Sequence, residues 1–123
     1  MERGFIVLGS LLAALAVALG AFGAHALRGR LSPDRLETFE TGVRYHMFHA
    51  LALLAVAFAS LRLPASPLAV ASGWLFVAGI ILFSGSLYLL VAARLRWLGA
   101  VTPLGGVAFI LGWLCLALSV LQS

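Results

Sequence analysis

The chain has no lysine, only four acidic residues and one cysteine among its 123 residues, and each scarcity excludes a class of protein. A lone cysteine, Cys115, cannot form an internal disulfide, and in apolar company it acts as a small packing residue. The acids are Glu2, Asp34, Glu37 and Glu40, so the long apolar runs contain no Asp, Glu or Lys. Ionisable groups inside a membrane mark proton relays and ion paths, and their absence argues against a proton-coupled pump. No G-x-S-x-G, H-E-x-x-H or phosphate-loop pattern is present.

What the chain has is apolar surface. Apolar residues make up 63% of it, and the mean hydropathy is +1.14. Four runs, at about 4–26, 47–63, 68–93 and 103–121, approach or exceed the roughly twenty residues a helix needs to cross about 30 Å of hydrocarbon. In lipid every backbone N–H and C=O must be satisfied within its own segment, so these runs are helices. The expected fold is all-α: an integral membrane four-helix bundle, with residues 1–123 as a single transmembrane domain. The remainder is too short for a soluble catalytic domain, so the protein is not expected to be an enzyme.

The formal charge of +4 comes from eight arginines that sit at the edges of the runs. They form no continuous stripe interleaved with aromatics, which argues against a nucleic-acid partner. Arg28, Arg30, Arg94 and Arg96 read instead as a basic edge facing anionic lipid head groups. Arg3 and Arg62 fall on one side of the membrane, and Arg28, Arg30, Arg35, Arg44, Arg94 and Arg96 on the other. The positive-inside rule then places the first and third loops in the cytoplasm, with both termini outside a multi-pass inner (plasma) membrane protein. Ala24-His25-Ala26 has the look of a signal-peptidase site. The preceding apolar run is longer than the 7–15 residues of a signal peptide, which favours an uncleaved span.

Small residues recur along the first span at Gly9, Ala13, Ala16, Gly20 and Gly23, in steps that put them on one helix face. Such a stripe lets backbones approach closely, either within the chain or between subunits of a homo-oligomer. Gly105, Gly106 and Gly112 offer the same to the fourth span. Ser32-Pro33-Asp34 is a helix start: a capping serine, proline at the first helical position, an acid in the first turn. Leu36, Phe39 and Val43 then share one face, predicting a short interfacial amphipathic helix at about 33–45 that feeds the second span. Pro64 and Pro67 make the turn into the third span, and Thr102-Pro103 reads as the cap and first residue of the fourth. Trp97 suits the aromatic belt, whereas Trp113 lies mid-span and reads as a packing residue with its N–H turned to a neighbouring helix.

The three histidines gather near one edge, His25 ending the first span and His46 and His49 opening the second. Imidazoles on facing helices can hold zinc or haem. No cysteine or acid completes a ligand spacing, so neither metal nor cofactor is expected. The expectation is a structural polar cluster of His25, Arg44, Tyr45 and His49.

Four blocks carry a resemblance to a known family. They are Gly20-Ala21-Phe22-Gly23-Ala24-His25-Ala26-Leu27; Thr41-Gly42-Val43-Arg44-Tyr45-His46-Met47-Phe48-His49-Ala50-Leu51; Phe83-Ser84-Gly85-Ser86-Leu87-Tyr88; and Thr102-Pro103-Leu104-Gly105-Gly106 with Gly112-Trp113. In this order, over nearly the whole chain, they resemble the small inner-membrane proteins labelled domain of unknown function 423, which include the animal transmembrane protein 256 group. That family often has Gln where His46 stands, which leaves His25 and His49 as the pair to watch. The resemblance implies an integral four-span protein and no particular activity. The leading reading is a non-enzymatic membrane protein serving assembly or lipid or partner binding. Its rivals are a small oligomeric transporter or channel and, behind that, a haem or metal-binding membrane protein.

Overall fold

The computed structural model describes residues 2–63 and 66–122. Four helices, each long and apolar enough to cross a membrane, account for almost all of them: α1 (Glu2–Leu27), α2 (Pro33–Arg62), α3 (Pro67–Ala93) and α4 (Leu98–Leu121). Pro64 and Ala65 of the turn before α3 lie outside the described residues, as do Met1 and Ser123. Both proline-led starts are built as their residue types dictate. Ser32 Oγ accepts the Arg35 N–H at 3.3 Å, and Ser66 Oγ accepts the Ala69 N–H at 3.3 Å, with Pro33 and Pro67 in the first turns. Single π-helical turns interrupt α1 at Leu19–Gly23 and α3 at Ile80–Ser84.

The helices pack in chain order. α1 lies along α2, α2 against α3, and α3 along α4. The main core joins Phe5, Ala52, Leu53, Val56, Ala57, Phe76, Ile80 and Phe109, and a smaller cluster of Ala24, Phe39 and Val91 lies toward the end where α2 begins. Large apolar side chains such as Leu11, Phe58, Ile81, Leu104, Ile110 and Leu114 are exposed on the outside, where lipid would cover them.

Glycine slots set the spacing. A Cβ on Gly9 would stand 2.9 Å from the Ala50 carbonyl oxygen and 3.0 Å from Leu53 Cβ, so α1 and α2 touch there almost backbone to backbone. Gly105 faces the Phe83 backbone, and a Cβ on Gly112 would stand 2.7 Å from the Phe76 ring. Ala16 is buried, and Ala13 is partly so. Gly20 and Gly23 are looser, each with one neighbour near 3.2 Å, Val43 and Phe39 respectively. Gly106 departs from the expectation, because its Cβ position meets nothing within 4 Å: one step from Gly105, it points off the α3–α4 seam. Gly42, Gly73 and Gly79, which span periodicity did not single out as packing residues, receive the rings of Tyr88, Phe5 and Phe109.

Two expected boundaries are corrected. Residues 33–45 are helical, but α2 runs unbroken for 30 residues, so the amphipathic stretch is its first turns rather than a separate interfacial helix. At 1.5 Å per residue such a helix is about 45 Å long and must project beyond the hydrocarbon. Its apolar face is taken up inside the protein: Phe39 is buried and its ring lies 5.5 Å from that of Tyr88. Likewise α4 begins at Leu98 rather than at Thr102-Pro103. Bonds from Leu98, Gly99 and Ala100 back to Leu95, Arg96 and Trp97 start it, and Thr102 Oγ1 turns to the Leu98 carbonyl at 3.3 Å instead of capping.

Candidate functional site

The start of α2 and the end of α3 meet at one end of the bundle. Gly29 (φ +86°) and Arg94 (φ +57°) take left-handed conformations that turn the chain at the two loops there. The Arg35 guanidinium donates to the Val91 carbonyl, one of the last carbonyls of α3 and so without an intrahelical partner. This bond ties the two helices together and places a fixed positive charge between them. Around it lies a cavity of about 440 Å³ lined by Arg30, Ser32, Arg35, Thr38, Leu90, Val91, Arg94 and Arg96. A crevice of about 480 Å³ adjoins it, sharing Arg30, Arg35, Val91 and Arg94 and running down to Leu19, Leu27, Leu31, Phe39 and Tyr88. Among the described residues no carboxylate lines either space. The site therefore has a cationic head and an apolar slot beneath it.

A second polar group sits within the spans. His49 Nδ1 bonds the Tyr45 carbonyl at 2.8 Å, so that nitrogen carries the proton, and Nε2 accepts the Trp113 indole N–H at 3.0 Å. Both ring nitrogens are thereby used. The ring also stacks on Phe109 at 3.6 Å between centroids, within an aromatic group that includes Phe76 and Phe83. His46, 1% exposed, bonds Tyr88 Oη through Nδ1 at 2.9 Å. Among the described residues its buried Nε2 has no hydrogen-bond partner. Ser84 donates to the Gly42 carbonyl at 2.7 Å, and the hydroxyls of Ser86 and Thr102 are hydrogen-bonded to each other at 2.6 Å. These bonds cross between helices and close the polar groups of α3 on protein partners, as intramembrane hydroxyls require.

The expected cluster of His25, Arg44, Tyr45 and His49 does not assemble. Only Tyr45 and His49 meet, with ring centroids 6.3 Å apart. His25 and Arg44 are exposed, and Arg44 donates to Thr41 Oγ1 at 3.2 Å. The cause is the continuity of α2, which carries His49 roughly 24 Å along the axis from Pro33 at 1.5 Å per residue, away from the end of α1. Among the described residues no three His, Cys, Asp or Glu side chains gather as a metal site. Of the expected basic edge, Arg30, Arg94 and Arg96 line the cavity and Arg28 does not. Arg35 is absent from that expected edge, although the arginine count puts it on the same side of the membrane.

The family model described as "Protein of unknown function (DUF423)" matches residues 19–106. The chain is 50% identical to the UPF0382 membrane protein YwdK of Bacillus subtilis (strain 168), over 96% of each chain. It is 47% identical to the UPF0382 membrane protein SAB0533 of Staphylococcus aureus (strain bovine RF122 / ET3-1), over 94% of this chain and 93% of the relative. It is 46% identical to the UPF0382 membrane protein SERP0230 of Staphylococcus epidermidis, over 96% of this chain and 95% of the relative. No solved structure matches.

Proposed function

The chain belongs to the DUF423 family of proteins of unknown function, and from that footing we propose that it is a non-enzymatic plasma-membrane protein that binds anionic lipid at its arginine-rich end. One observation carries the reading: four arginines, Arg30, Arg35, Arg94 and Arg96, line one cavity that no carboxylate lines among the described residues. Arginine presents a planar fork of donors that matches phosphate oxygens in pairs, and it is weakly hydrated enough to sit at a lipid interface. Basic residues near an anionic leaflet contribute about 1 kcal/mol each. The positive-inside rule puts this end on the cytoplasmic side, with the termini outside.

Native mass spectrometry of the protein released from membrane particles tests this reading. The wild type should retain anionic phospholipid, and a variant with Arg30→Gln, Arg94→Gln and Arg96→Gln should lose most of it while remaining folded. Equal retention by both proteins, or retention of zwitterionic lipid only, would remove the proposal.

A further inference from the structure

We propose that the occupant of the arginine end is a lipid phosphomonoester, its phosphate among Arg30, Arg94 and Arg96 and a hydrocarbon chain in the crevice below; this rests on the anionic-lipid reading and narrows it. The first support is charge. Four arginines line the cavity, and among the described residues no carboxylate does. A bilayer phosphodiester brings one negative charge, whereas a phosphomonoester carries about −1.5 to −2 near neutral pH with three strong acceptor oxygens. The monoester can therefore engage more than one arginine fork at once and neutralise more of the site.

The second support is the set of donors around the cavity. Arg35 is held in place by its bond to the Val91 carbonyl, so its charge is preorganised. Ser32 Oγ accepts the Arg35 backbone N–H at 3.3 Å, which leaves the hydroxyl proton to donate into the cavity that Ser32 lines. The third support is shape. The crevice shares Arg30, Arg35, Val91 and Arg94 with the cavity and continues between Leu19, Leu27, Leu31 and Phe39. A free phosphate ion would leave that slot unused, while an amphiphile fills both spaces.

The test titrates the full-length protein in neutral detergent with three probes: dioleoyl phosphatidic acid, dioleoyl phosphatidylglycerol and inorganic phosphate. The two lipids carry the same chains; phosphatidylglycerol adds a glycerol head group that leaves its phosphate a singly charged diester, and the pH dependence isolates the charge. At pH 7.5 phosphatidic acid should bind about tenfold or more tighter than phosphatidylglycerol, and inorganic phosphate should not compete with it. The preference should shrink at pH 5, where the monoester, with a second pKa near 6, loses its second charge. Arg30→Gln with Arg96→Gln, both at exposed positions, should abolish the preference without altering the thermal transition. Equal affinity for the two lipids would overturn this proposal and leave the anionic-lipid reading standing. Binding of neither would overturn both. Effective competition by inorganic phosphate would show an ion site rather than a lipid site and overturn the proposal.

Discussion

Trp113 shows how a single side chain can hold two helices where no hydrophobic drive exists. Its N–H reaches His49 Nε2 at 3.0 Å, while His49 Nδ1 is held by the Tyr45 carbonyl at 2.8 Å. Trp113→Phe keeps an aromatic ring and removes the donor, so it should destabilise the protein by about 0.6–2 kcal/mol, the range for interhelical hydrogen bonds in membranes. His25→Phe should change stability by less than about 0.5 kcal/mol, because the ring is exposed. Unfolding in mixed micelles with rising denaturing detergent measures both; a larger loss from His25→Phe than from Trp113→Phe would contradict the assignment. At this scale sequence reading went halfway. A mid-span indole needs a partner, so its bond across helices was foreseeable, but which histidine receives it depends on α2 continuing through His46 and His49. The pairing of His46 with Tyr88 was hidden for the same reason, since it joins residues 42 positions apart on different helices.

The clearest lesson among the elements comes from the two neighbouring glycines of α4. Gly105 lies against the Phe83 backbone, and Gly106 opens onto empty space. Gly105→Ala must push α4 away from α3 and should cost about 1–3 kcal/mol. Gly106→Ala should leave stability unchanged or raise it by up to about 1 kcal/mol, through the better helix propensity of alanine. The same detergent titration separates them, and equal behaviour of the two variants would show that the α3–α4 seam is misplaced. Composition marks glycines as candidates for close packing, but helical phase relative to a partner decides which one is used, and that phase is a tertiary fact. The length of α2 was misread on similar grounds. The amphipathic face of Leu36, Phe39 and Val43 is what an interfacial helix would show, yet no Pro or break separates it from the span, and Phe39 is buried within the protein instead.

For the molecule as a whole, hydropathy located the four long apolar helices to within a few residues at most ends, because hydrocarbon thickness and backbone satisfaction leave little choice. The larger misses are at the starts of α2, where a charged amphipathic stretch continues into the helix, and of α4, where Thr102-Pro103 reads as a start although the helix already begins at Leu98. The arginines at the loop ends were legible as a basic edge; their convergence on one cavity with Arg35 was not, since it needs the meeting of α2 and α3. The account places this arginine-rich end in the cytoplasm. The most direct test is labelling of intact cells with a membrane-impermeant maleimide, after Cys115→Ala removes the native thiol. Glu37→Cys, in the first turns of α2, and Leu95→Cys, in the loop after α3, report the arginine-bearing end, and Gln122→Cys reports the C-terminus; all three positions are exposed. The account predicts that Gln122→Cys labels from outside, while the other two label only after the cells are opened. Labelling of Glu37→Cys or Leu95→Cys in intact cells would contradict it.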